Sequence, residues 1–410
     1  LGDLLAWIPA CDQNPEESQV TEVYVLGGAQ TDFARNWARE GKSLFDMMSE
    51  TVELGLQETG LEPGDIDTGH IGNFAAELFC GQGLLGGFFA AIRPEFNGIP
   101  SGRHEAACAS GSVALLAAMA EIEAGRYDVA CVLGVEYMRN VPGSVGASHL
   151  GAGCWQGHEA VGAKVVWPAM FDKLIDEYDR RYGIRHEHLA EIARNNYENG
   201  RSNPNAQTRH WTFGNMAFAE DDEENPVVEG RVRRQDCGQI TDGAAVVFLA
   251  SKRFAEEYCA RSGREAADLS RIEGWGHRTA TMLQSEKFRD SEGQPYVLPH
   301  VRGTLTDAYR RAGISGVDQL DLMEVHDCFS MTEYMIIDHA GITAPGESWK
   351  AVEDGSIRRT GRIPVNPSGG LIGLGHPVGA TGTRMLLDAH RQVTGLAGAN
   401  QVEGARRAAT

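Results

Sequence analysis

The stretch NPSGGLIGLGHPVGATGTR, from Asn366 to Arg384, surrounds one histidine with glycines. Glycine lets a backbone turn left-handed and approach another group closely, at an entropic cost in regular elements. Such a stretch is a shaped loop beside something. Three uses compete: a phosphate cradle, a flexible tether, and a catalytic loop presenting His376. A Walker loop needs GxxxxGK[ST], and this stretch has no lysine. A dinucleotide fingerprint opens a βαβ unit, whereas Gly373-Leu374-Gly375 lies near the end of the chain with the wrong glycine spacing. A tether would waste Leu371, Ile372, Leu374 and Val378. A catalytic loop remains, and it needs a partner elsewhere.

The 410 residues are 42% hydrophobic and 8% aromatic, ordinary globular usage and enough for a large core. A formal net charge of −20 excludes nucleic acid and an anionic membrane surface as natural partners. No apolar run reaches the ~18 residues of a membrane span. The opening "LGDLLAWIPACDQNPEES" has neither a basic n-region nor an A-x-A cleavage pattern, so it does not read as a signal peptide. It also lacks an initiator methionine, consistent with a trimmed chain. Eight cysteines without a CxxC pair argue against a disulfide framework or zinc, and for a reducing, cytoplasmic setting.

Val23 to Leu26 reads as a first strand. Ser43 with Asp46 forms a capping box ahead of helical spacing at Leu44, Met47, Met48 and Val52, which runs to Gly60. Ile71 to Phe74 suggests a second strand, followed by a Gly/Ala/Phe-rich helix. A strand ending near Ala107 gives way to a helix apolar on every side, hence buried. "DVACVLGVE" is a core strand, and its apolar run covers Val129 to Val135. Residues 138–235 change character, with Trp, Asn, Arg, the acidic run "AEDDEENP" and an amphipathic helix around Glu187 to Asn196. They read as an insertion lying over the core.

"DGAAVVFLAS" then resumes core composition. A strand near Ile272, a helix over Val301 to Ala312, the strand "LMEV", a helix over Ser330 to Ala340, the glycine loop and a helix through Met385 to Val393 follow. "LEPGDIDTGHIGNF" and "GISGVDQLDLMEVHDCF" are equivalent turns into strands, the sign of an internal duplication. Alternating βα units imply stacked α/β layers. The expected division is 20–137 and 236–268 for the first half, 138–235 for the inserted loop domain, and 269–410 for the second half. The second half stops at "GARRAAT" without the apolar strand that closes the first.

Cys108 lies where a strand hands over to the buried helix. Exposed N–H groups and the positive end of the dipole there favour a thiolate, which predicts an acidified thiol. A cysteine chosen at random is far more often a small buried residue, and Cys11, Cys80, Cys131, Cys154, Cys237 and Cys259 keep that reading. His326 ends the "LMEV" strand, well placed to face a crevice. Alone, it reads equally as a structural histidine, and Cys328 alone reads as inert. Pro377 holds the backbone of His376 extended.

Together, these residues make the chain resemble the thiolase superfamily. "ACASG" around Cys108 is similar to its nucleophile motif, and "GHPVGATG" around His376 to its GHPxGATG motif. "HDCF" at His326 to Phe329 stands where most thiolases have Asn-Glu-Ala-Phe, as in the sterol-carrier-protein branch. The likeness runs in order from about residue 20 to 408 and includes "DGAAVVFLAS" and "SNPNAQTR". It implies an α/β thiolase fold: five αβαβα layers built from two βαβαβαββ halves with an inserted loop domain. It implies acyl-CoA and CoA as substrates, no metal or other cofactor, and a homodimer or homotetramer.

Carried over, Cys108 takes the acyl group and His376 deprotonates its thiol. His326 and His376 bind the thioester oxygen, and Cys328 is the second acid/base. Ser368, Gly369, Gly375 and Gly379 are expected along the substrate, as loop backbone that a thioester approaches. The family's C-terminal Cys-x-Gly motif is missing, so the natural protein is expected to continue past Thr410 or to be disordered there. Two other readings stay open. One is a ketosynthase-like acyltransferase. The other is a weakly active acyl-CoA-binding subunit of a larger complex, such as relatives that pair with small OB-fold acyl-CoA-binding proteins. Chain length and reaction direction are not legible.

Overall fold

A computed structural model describes residues 21–410. The opening stretch and Cys11 lie outside the described residues. In chain order the elements are β1 (Val23–Gln30), α1 (Leu44–Thr59), β2 (Thr68–Gly72), α2 (Ala76–Cys80), α3 (Phe88–Ile92), β3 (Ser101–His104), α4 (Ser110–Glu123), β4 (Val129–Glu136), α5 (Gly143–Leu150), α6 (Val166–Tyr182) and α7 (His186–Arg201). They continue with β5 (Val227–Glu229), β6 (Val232–Arg233), β7 (Gly243–Ser251), α8 (Lys252–Ser262), β8 (Ser270–Arg271), α9 (Gln284–Asp290), α10 (Pro299–Arg311), β9 (Leu322–Met323), α11 (Ser330–Ala340), α12 (Ser348–Glu353), α13 (Thr381–Val393) and β10 (Ala408–Ala409).

The main sheet has the order β3-β2-β4-β7-β1-β8. β3, β2 and β4 run parallel, and β7 runs antiparallel to both β4 and β1. Its middle strands β4 and β7 are buried at every residue, which is why both read as unbroken apolar runs. One face packs on α1 through Leu26, Ile71, Leu133, Val246 and Phe248 with Met47, Met48 and Val52. The other packs on α4 and α13 through Val25, Val132, Val247 and Leu249 with Ala114, Ala118, Ile122 and Leu387. A smaller parallel pair, β9 with β10, lies beyond α13, and α10 and α11 cover it with a second core around Met323, Val325 and Ile337. The layering is helix, sheet, paired helices, sheet, helix.

Local signals decide several of these elements. Ser43 caps α1 in a complete capping box, and Gly60 ends the helix at φ 70°. The Gly/Ala/Phe-rich helix is two short helices, α2 and α3, broken by Gly81 at φ 67°. The strand expected near Ile272 is only Ser270–Arg271 and joins β1 at the edge of the first sheet, not a sheet of the second half. The second half does begin the strand thought missing: Ala408 and Ala409 pair with Leu322 and Met323, as β4 pairs with β2. Between β4 and β7 come α5, α6, α7 and a small hairpin. No described helix is long and apolar enough to cross a membrane.

Candidate active site

Cys108 stands on a single 3₁₀ turn, Ala107–Ala109, that opens α4. The chain bends sharply before it, with Ala107 at φ 47°, a left-handed conformation that costs a non-glycine residue energy. Ser110 offsets that cost: its hydroxyl accepts from the Ala106 N–H at 2.9 Å and donates to the Ala107 carbonyl at 2.6 Å. The Glu105 carboxylate accepts from the Ala107 N–H at 2.6 Å. The helix behind the nucleophile can sit this deep because Gly111 meets the Thr383 N–H and the Gly379 carbonyl where a Cβ would be.

The acidified thiol expected at this helix end is not found. Burial pushes the Cys108 thiol up to about 12, the nearby Glu136 charge adds to it, and the backbone N–H only partly opposes them. Helix-end reasoning sees the local dipole but not the dry surroundings, and here desolvation wins. The resting sulfur is protonated and needs a base at the moment of reaction. Cys108 as a residue is only partly buried.

His326 and His376 supply candidates for that base. One ring nitrogen of each and the Cys108 Sγ all lie within 4.8 Å of one another. The two rings meet edge to face, with centroids 5.2 Å apart and planes at 84°. Burial, with Arg384 nearby, pulls His326 down to about 4, and burial, then His326 and Arg384, pulls His376 well below its ordinary value, so both are neutral at pH 7. The tautomer of His376 follows from its neighbour. The Thr381 hydroxyl donates to the Pro377 carbonyl at 3.1 Å, so toward His376 Nδ1, at 2.7 Å, it accepts. That places the proton on Nδ1 and leaves Nε2 with a lone pair, the form a general base needs.

Cys328 is close but outside that trio. Its sulfur lies 3.7 Å from the Thr332 Oγ1, and burial together with the Cys108 sulfur raises its thiol well above the ordinary value. Around Cys108 an apolar wall is formed by Ala75, Phe79, Met138 and Val378, with Phe74, Leu150 and Ile240 against it. Among the described residues, Cys108, His326 and His376 are the one group of His, Cys, Asp or Glu side chains close enough to share a metal ion.

The residues that hold this geometry were not singled out from the sequence. Asp327, inside "HDCF", accepts from the Leu371 and Ile372 N–H groups at 2.6 and 3.1 Å and from Asn196 Nδ2 at 2.9 Å. It fastens the wide π-type turn Gly370–Leu374 to the segment that carries His326. Gly370 must be glycine, since a Cβ there would lie 2.5 Å from Asp327 Oδ1. Glu136 gathers Asn73 Nδ2 and the N–H groups of Phe74, Ala75 and Gly379, tying the end of β4 to the glycine loop. Burial pushes its carboxyl up to about 7, and those donors work in the opposite direction. A signal existed for Glu136: it is the first charge after a fully apolar strand.

The four residues expected along the substrate also pack closely on protein. Ser368 donates to Glu324 at 2.6 Å and accepts from Arg384 at 3.2 Å. It borders a separate cleft of about 910 Å³, with Gln30, Arg264 and Arg391, which none of Cys108, His326, Cys328 and His376 lines. A Cβ on Gly369 would meet Gly200 at 2.8 Å, and one on Gly379 would meet Asn73 and the Val135 carbonyl at 2.6 Å. Gly375, at φ 132°, faces Thr241 and Phe33. The glycines let backbone pack on backbone and so hold His376 in place.

The family model described as Thiolase, N-terminal domain matches residues 23–211, and the one described as Thiolase C-terminal domain-like matches residues 288–410. The acetyl-CoA acetyltransferase of Methanothermobacter thermautotrophicus is 32% identical over 401 residues, 94% of each chain. Sterol carrier protein 2 of Homo sapiens is 27% identical over 95% of this chain and 69% of its own. Among solved structures, the Ltp2-ChsH2(DUF35) aldolase superposes with a TM-score of 0.72 at 19% identity, covering 94% of this chain and 92% of that one. With both domain models matched and 32% identity over nearly its whole length, the chain belongs to the thiolase family.

Proposed function

We propose that the protein makes or breaks 3-ketoacyl-CoA through an acyl thioester on Cys108. The observation that carries this reading is the convergence of the Cys108 sulfur with both imidazoles inside 4.8 Å. In the cleavage direction His376 Nε2 takes the thiol proton and the thiolate attacks the 3-keto carbon. The bond between the 2- and 3-carbons breaks and Cys328 protonates the departing acetyl-CoA enolate. The incoming CoA thiol then gives its proton to the Cys328 thiolate and takes the acyl group, and Cys108 leaves as a thiolate that recovers its proton from His376. His326, with His376, donates to the oxygen that becomes negative. One such donor is worth roughly 3–4 kcal/mol. A thiolate suits both ends of this cycle, as nucleophile and as leaving group.

The apolar wall of Phe74, Phe79, Met138 and Val378 beside the sulfur supports an acyl substituent there. Ser368, Gly369, Gly375 and Gly379 are proposed as loop backbone along the substrate, and the Ser368 hydroxyl also donates to Glu324. The reading carries a homo-oligomer, supported by the outer edge of β3, which pairs with no strand among the described residues and leads straight to Cys108. It carries a reducing compartment such as the cytoplasm, in keeping with seven free cysteines among the described residues. The similar aldolase is named together with a DUF35 protein, and an accessory protein of that kind is the partner this reading admits.

The test is thiolysis of acetoacetyl-CoA by free CoA. Activity that vanishes in Cys108→Ala supports the reading. CoA binding without turnover would replace it with an acyl-CoA-binding subunit. Cys328→Ala should slow condensation far more than acyl transfer to Cys108, and equal losses in the two steps would remove Cys328 from its role.

A further inference from the structure

The Cys108, His326 and His376 donors come from three separate places: the turn before α4, the chain just after β9, and the glycine loop. One sulfur and two imidazole nitrogens make the set that selects zinc and related soft or borderline cations, while magnesium and calcium want oxygen. Zinc binds sulfur at about 2.3 Å and imidazole nitrogen at about 2.0–2.1 Å, so tetrahedral ligand atoms sit roughly 3.3–3.8 Å apart. The observed spread of no more than 4.8 Å closes to that with side-chain movements of about an ångström or less.

A further feature favours such a site. The Nδ1 of His376 is held by Thr381 at 2.7 Å, the kind of outer hydrogen bond that aims a ligating imidazole and fixes its tautomer. Cys108 and His326 are each only partly buried as residues, whereas His376 is buried. We propose that these three side chains form a binding site for a soft divalent cation, with zinc as its type, and that occupancy shuts off acyl transfer. Binding exchanges the thiol proton for the metal: the S–H bond breaks, a sulfur–metal bond forms, and the proton goes to solvent. A sulfur bonded to metal cannot attack a thioester, and an acylated sulfur cannot bind metal. The cation is therefore a competitor for the nucleophile and not a cofactor. The shut-off rests on the acyl-transfer reading; the binding does not.

Cobalt(II) is the probe, because a cobalt–thiolate bond has a sulfur-to-metal charge-transfer band that imidazole ligation lacks. The full chain should take up one cobalt per chain with that band, and excess zinc should displace it. Cys108→Ser should lose the band. His326→Ala should weaken binding at least tenfold, and Thr381→Val by about 10–100-fold. Prior alkylation of Cys108 with iodoacetamide should prevent binding. Absence of the band, or equal cobalt affinity in wild type and Cys108→Ser, would overturn the site. In parallel, thiolysis should fall in proportion to zinc occupancy and return on chelation, and full activity at full occupancy would overturn the shut-off. If the wild type never turns over acetoacetyl-CoA, the spectral arm still decides the metal site by itself.

Discussion

Asp327 stands between His326 and Cys328 and commits both carboxylate oxygens to the opposite loop. Each oxygen faces a backbone N–H, so an amide in its place must point a donor at a donor. Asp327→Asn should therefore loosen the turn at Gly370–Leu374 and misplace His376. A displacement of about 1 Å at a reacting group costs on the order of 10²-fold in rate. Steady-state kinetics should show that loss mainly in kcat, and unchanged kcat would mean the clamp does not position the base.

His390 makes a prediction away from the chemistry. Its Nδ1 lies 2.9 Å from the Ser270 Oγ, and burial beside Arg391 and Arg264 pulls it down to about 4. Between its ordinary value near 6.5 and about 4, the unfolded chain binds a proton that the folded chain refuses. Unfolding then takes up protons, so this group's contribution to stability falls as pH drops through that window. At about pH 5 the effect approaches roughly 2 kcal/mol. In His390→Gln the stability lost between about pH 7 and about pH 5 should shrink by up to about that amount in denaturant melts. An unchanged loss would contradict a buried neutral imidazole.

At the scale of elements, the crossing of α4 and α13 sets how close the nucleophile can come to the glycine loop. A Cβ on Gly382 would lie 2.3 Å from the Ser112 Oγ and 2.4 Å from its backbone N, so a helix has to move. Gly382→Ala should cost at least the ~1–3 kcal/mol of an overpacked core. It should also slow acylation, because the same shift separates Cys108 from His376. A neutral effect on both stability and rate would show that the crossing is not tight.

Long elements were legible from sequence in proportion to how uniform their surroundings are. α11 reads from Ser330 to Ala340 because its limits are local, and β4 and β7 because both faces are buried. β10 is two residues, too short for a period-2 pattern to appear, while β8 and β9, expected near Ile272 and at "LMEV", are there but only two residues each.

For the whole molecule, Cys108, His326 and His376 could be found because each sits in a distinctive stretch, and the fold brings those stretches together. Their supports could not be found the same way. Asn196 reaches Asp327 from 131 residues away, and Gly379 reaches Glu136 from 243, pairings that exist only once the layers stack. The state of the Cys108 thiol was missed for the same reason. Its helix end is written locally, but the wall of Phe79, Met138 and Val378 that dries it is assembled from distant segments.

The central claim is that a buried, protonated thiol becomes the acyl carrier because His376 stands beside it. Intact-protein mass spectrometry after brief incubation with acetoacetyl-CoA measures this most directly, with peptide mapping to locate the adduct. The account predicts one acetyl group per chain on Cys108, far slower to appear in His376→Ala and absent in Cys108→Ala. An acetyl group on another residue, or an adduct forming equally fast without His376, would contradict it.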